Sequence, residues 1–129
     1  MAGTGEGPYG FLTVADFILV ALLYSGSRAP KRRLAKVLAL LAYMEGEEEF
    51  FEPCSELFDA EYAMLRFEGF LRDGRLTERG REEAAGVARV LEERAPGTAA
   101  LLRRLAGLSE ETIDRLLAHR CPMRGVRGG

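Results

Sequence analysis

The chain has 129 residues, enough to enclose one hydrophobic core but not two, so a single domain is expected. A formal charge of −2 and a pI near 5.6 give no global basic field to attract a polyanion, and any such role must come from local clusters. The longest apolar run, FLTVADFILVALLY, is 14 residues long and contains Asp16, which excludes a bilayer span and implies a core helix.

Cys54 and Cys121 have no CxxC spacing, and no signal peptide precedes them, so plain thiols in a cytoplasmic setting are expected. Asn, Gln and Trp are missing, and only two lysines stand among many arginines and glutamates. Such a composition fits a thermophilic source.

Residues 1–10 are Gly-rich and are expected to be flexible until Tyr9 or Phe11 finds the core. A first long helix then follows, with Thr13 and Asp16 placed as a capping box and Gly26 placed to stop it. In the next segment Pro30 sits where a first-turn proline is tolerated, Leu34, Val37, Leu38 and Leu41 form one stripe, and Gly46 closes the helix. Lys31, Arg32, Arg33 and Lys36 crowd its start, against the macrodipole. They read either as a solvated charged face or as a phosphate-facing patch.

Pro53 keeps the connector EGEEEFFEPC from becoming helix, and Ser55 is placed to cap a third long helix, ELFDAEYAMLRFEGFL. Its expected buried stripe is Leu57, Ala60, Met64, Phe67 and Leu71, widened by Phe58, Tyr62 and Leu65. Eight acids and no base lie between Glu45 and Glu61. Asp73-Gly74 is the pair that favours a two-residue hairpin with positive φ at both positions, with about three strand residues on each arm. Beyond it, Thr77 can cap a long helix ending at Pro96-Gly97 and buried along Val87, Val90 and Leu91. Thr98 and Ser109 start two further helices, and residues 121–129 form a basic, Gly-rich tail expected to be flexible.

Three helices, a tiny ribbon and three more helices make a mainly α chain whose residues 11–120 read as one domain. This is the order of a winged helix-turn-helix with a short two-stranded wing and extra C-terminal helices. The run SELFDAEYAMLRFEGFLRDGRLTERGREEA resembles the third helix, wing and LTxxG helix start of winged-helix regulators of the MarR and PadR type. With KRRLAKVLALLAY and FEPCSEL, the chain is similar to small prokaryotic winged-helix proteins allied to the SocA-like antitoxin (Panacea) domain. Where that group has Gly-Pro-Tyr-Ser, this chain has Glu52-Pro53-Cys54-Ser55. The resemblance implies binding of double-stranded DNA, with the third helix in the major groove and the wing on the backbone.

The candidate contacts are Arg28, Lys31, Arg32, Arg33 and Lys36 at the entry of the second helix, and Arg66, Arg72, Arg75 and Arg79 around the wing. Against major-groove docking stand Glu56, Asp59, Glu61 and Glu68 on the third helix, where each carboxylate near a phosphate is repelled. Without Asn or Gln, adenine-reading side chains are missing as well. The other reading is an adaptor that binds no DNA and meets a basic protein through the acidic connector and third helix. The helices beyond the wing either cover the first helix or bury against a symmetry mate in a homodimer. No enzyme chemistry is expected: His119 with Cys121 is half a site at most, and no phosphate-binding Gly loop, metal set or cofactor motif is present.

Overall fold

The computed structural model describes residues 8–47 and 56–120. Within them the chain is mainly helical, with seven helices and one small antiparallel sheet. Their order is α1 Pro8–Phe11, α2 Val14–Tyr24, α3 Lys31–Met44, α4 Glu56–Phe67, β1 Leu71–Arg72, β2 Arg75–Leu76, α5 Glu78–Arg94, α6 Pro96–Ala106 and α7 Glu110–Arg120. The acidic connector, the Glu52-Pro53-Cys54-Ser55 entry, Cys121 and the basic tail lie outside the described residues.

Helix α2 starts at a capping box: the Thr13 N–H donates to Asp16 Oδ2 at 3.0 Å, and the Asp16 N–H donates to Thr13 Oγ1 at 3.1 Å. That satisfies two donors that helix geometry leaves without partners. Every residue from Phe17 to Leu22 is buried, because α5 lies along one side of α2 while α3, α4 and α6 close the others. A helix that is apolar all round has no other stable environment in water. Each fully buried Leu, Ile or Phe adds about 1.5–3 kcal/mol of transfer free energy, so α2 anchors the core.

The α3 stripe Leu34, Val37, Leu38 and Leu41 is buried as its spacing requires. Helices α6 and α7 cover α3, and α5 covers α2, so the C-terminal apolar stripes are used within their own chain. Helix α5 buries Leu91 as expected, together with Ala84 and Ala88, and packs the half-buried Val87 against the core, while Val90 is exposed. Small residues on that side let the α5 backbone approach α2 closely.

Tyr9 and Phe11 lie on the short helix α1, and both pack against the core. Tyr9 stacks on Phe17 with ring centroids 5.1 Å apart. Its hydroxyl donates to Glu45 Oε1 at 2.7 Å, and the same carboxylate accepts from the buried Thr98 hydroxyl at 2.9 Å. Burial, and then the bond to Glu45, pushes the Tyr9 phenol far above its ordinary range. Thr98, expected to start a helix, instead lies inside α6, which Pro96 opens.

The main departure is the phase of α4. Phe58, Tyr62 and Leu65 are the buried side, whereas Leu57 is 47% exposed, Met64 49% and Phe67 86%. The helix is therefore buried along Phe58, Tyr62 and Leu65, the residues expected to widen the stripe, while Leu57, Ala60, Met64 and Phe67 of the stripe itself face outward. Helix α4 also ends earlier than expected, at Phe67, where Gly69 takes φ +85 and the Phe70 N–H donates to Leu65 O at 3.0 Å. The chain leaves α4 there in the direction of β1.

Candidate nucleic-acid interface

Asp73 (φ 52) and Gly74 (φ 76) form the two-residue turn with both central residues left-handed. Leu71 pairs with Leu76 and Arg72 with Arg75. Because side chains alternate along a strand, both leucines point into the core and both arginines point out. Strands of two residues would not stand alone. A third segment holds them: Ala29 N–H donates to Gly74 O at 2.9 Å, Leu76 N–H to Ser27 O at 2.8 Å, and Arg28 bridges antiparallel to Arg75. Gly26 (φ 81) and Ser27 (φ 72) make the reversal after α2 that brings this segment beside β2.

The other support comes from the LTERG run. Thr77 Oγ1 accepts from the Gly80 N–H at 3.0 Å and donates to Gly69 O at 2.7 Å. A Cβ on Gly80 would stand 2.1 Å from Phe70 O, so only glycine lets the α5 N-terminus close on the ribbon. The motif thus fastens the hairpin to the helix that follows it.

Four arginines surround this hairpin. Arg28 and Arg75 line one shallow hollow, with Pro30 and Gly74; Arg72 and Arg75 line a second; Arg66, Phe67 and Arg72 line a third. Asp73, at the tip, borders all three. Among the described residues, none of these four guanidiniums has an ion pair. Like charges directly across a strand pair are destabilising, so the fold tolerates a repulsive Arg72–Arg75 pair here.

The remaining candidates separate into different environments. Arg32 is exposed and without an ion pair among the described residues. Lys31 pairs with Asp59 at 2.9 Å and lies 5.5 Å from the Tyr62 ring. Arg33 is turned away from the wing: its Nη2 donates to Ala106 O at 2.8 Å and Leu108 O at 2.6 Å, and its Nη1 meets Glu110 at 3.2 Å. It serves as the C-terminal cap of α6. Lys36 joins Asp114 at 2.6 Å and Glu110 at 3.3 Å, tying α3 to α7. The bond to Asp114 raises the Lys36 pKa, and the bond to Lys36 lowers that of Glu110. Arg79 donates to Glu68 O at 2.8 Å and stacks 4.8 Å over Phe70, bracing the ribbon.

The cationic run at the start of α3 is therefore not one surface. Arg28 joins the wing group, while Arg33 and Lys36 are tied up with α6 and α7. Sequence reasoning missed the outward side of α4, where Leu57, Ala60, Met64 and Phe67 are all exposed. Their 3-4-3 spacing was the available signal, but it belongs equally to a core stripe.

Among the described residues no group of three or more His, Cys, Asp or Glu could hold a metal ion, and no helix is long and apolar enough to cross a membrane. Comparison of the chain with protein-family models, with curated proteins and with solved structures finds no match.

Proposed function

We propose that this protein binds double-stranded DNA as a winged helix-turn-helix regulator whose affinity comes from phosphate contacts at the wing. The carrying observation is the set of guanidiniums at Arg28, Arg72 and Arg75, held together by backbone pairing and without ion-pair partners among the described residues. A bound phosphate relieves their mutual repulsion and releases counterions from the duplex. The element order supports the winged reading: α2, an edge segment at Arg28, α3, α4 and then the β1–β2 ribbon.

Helix α4 occupies the recognition-helix position in that scheme, yet its outer side carries apolar groups with Asp59 and Glu68 beside them. Such a surface has few hydrogen-bonding partners for base edges, which favours backbone-dominated over base-specific binding. The same apolar side supports a second property, contact with another protein surface, which is independent of the wing.

A salt titration tests the proposal. Affinity for a duplex should fall linearly with log salt, and replacing Arg72 and Arg75 together with Ala should flatten that slope by about two. A duplex that goes unbound at low salt, or a slope unchanged in the double variant, would overturn it.

A further inference from the structure

Phe67 closes α4 and is the most exposed large apolar residue among those described, at 86%. With Arg66, Leu71, Arg72 and Asp73 it lines one shallow hollow beside the wing. Neither guanidinium has an ion pair among the described residues. An open aromatic ring beside two such cations fits a ligand that joins a flat apolar group to anions, which is the chemistry of a nucleotide within a strand. We propose that Phe67 stacks on an unpaired base while Arg66 and Arg72 take the phosphates next to it, so that the ligand is a duplex with a single-stranded end. This rests on the wing reading and names the form of nucleic acid that the wing receives.

The need for an unpaired base comes from the ring itself. Inside a duplex each base is stacked on both faces, and drawing one out is costly; beyond a strand end a face is already open. Arg72 joins this hollow to the rest of the wing, because it also lines the hollow of Arg75, and Arg75 lines that of Arg28. A backbone held along Arg28, Arg75 and Arg72 therefore leads to Phe67. The nearby acids set its course. Asp73 borders the hollow at the hairpin tip and repels phosphate, which favours a path on the Arg66 side. Glu68 follows Phe67 in the chain but is not among the residues lining the hollow. An apolar protein segment would cover the ring while stripping water from Arg66 and Arg72 without giving them counter-ions, which is unfavourable. A nucleotide supplies both the flat face and the charge.

Fluorescence anisotropy of the full chain at low salt, with three DNAs, tests the site. One is a blunt duplex; the second adds a single-stranded overhang of about six nucleotides, in either polarity; the third has the same overhang without its bases. Wild type should bind the intact overhang about tenfold more tightly than the abasic one, which has the same phosphates, as expected for a base stacked on an aromatic ring. Phe67→Ala should bring that ratio to about one, and Phe67→Trp should keep it. Because Phe67 lies at the surface, neither variant threatens the fold. Equal wild-type affinity for intact and abasic overhangs, or a ratio that survives Phe67→Ala, overturns the stacking site. Binding of the blunt duplex in the same series then leaves the wing reading standing. If none of the three DNAs is bound, both readings fall.

Discussion

Arg72 and Arg75 face each other directly across the β1–β2 ladder, both pointing outward. A ribbon built only for stability would place opposite charges at these positions. Arg75→Glu creates such a pair and should raise stability by about 0.5 kcal/mol, seen as a higher denaturant midpoint. Duplex affinity should fall in the same variant, with the salt slope reduced by at least about one. Opposite signs in the two measurements identify a group kept for a ligand; a fall in both would assign Arg75 to the fold instead.

Arg28 and Arg33 lie only five positions apart and should behave as opposites. Arg33→Ala removes the donors to Ala106 O and Leu108 O, and should cost about 2–3 kcal/mol in chemical denaturation while leaving affinity per folded molecule unchanged. For Arg28→Ala the loss should be in duplex affinity, with little change in midpoint. Equal effects of the two on binding would mean that both belong to one phosphate-facing patch.

Gly80→Ala places a methyl 2.1 Å from Phe70 O, backbone that cannot yield without moving the ribbon. The expected cost is about 2 kcal/mol or more, which corresponds to a fall in Tm of roughly 8 °C for a chain of this size. Gly86→Ala is the control, since nothing lies within 4 Å of its added Cβ; that variant should match wild type or exceed it.

The Lys36–Glu110–Arg33 group gives the fold an acid-sensitive joint. Glu110 titrates below its ordinary value of 4.5 in the folded state, chiefly through its bond to Lys36. Its contribution is thus complete above that value and is lost as pH falls through the lowered pKa. Lys36 titrates above 10.5, so its share is complete below that pH and fades only in strong alkali. Thermal melts should show Glu110→Gln less stable than wild type at neutral pH and equal to it near pH 2. A gap that persists in acid would mean that Glu110 acts through packing rather than charge.

How much of this was legible in the sequence depended on whether a local rule had a competitor. Thr13–Asp16, Thr77 and the Asp73-Gly74 turn were legible because capping and left-handed turns are decided by the residues themselves. The phase of α4 was not, because Leu57, Ala60, Met64 and Phe67 satisfy helical periodicity as well as Phe58, Tyr62 and Leu65 do. What decides between them is which side meets α2 and β1, a tertiary fact. Among the candidate contacts, Arg28, Arg66, Arg72 and Arg75 are brought together by the hairpin. Arg33 and Lys36 were misgrouped because a charge run does not reveal which members reach distant carbonyls and carboxylates, 73 to 78 positions away.

The edge segment at Ala29 gives the wing a mechanical role. Its amide and that of Leu76 are held by bonds that cross from the α2–α3 link to the hairpin. Lifting the ribbon tip therefore means releasing the joint between two core helices. Hydrogen exchange at these two amides should proceed in step and as slowly as in the helices, so that the arginines meet a ligand from a stiff platform rather than a swinging arm.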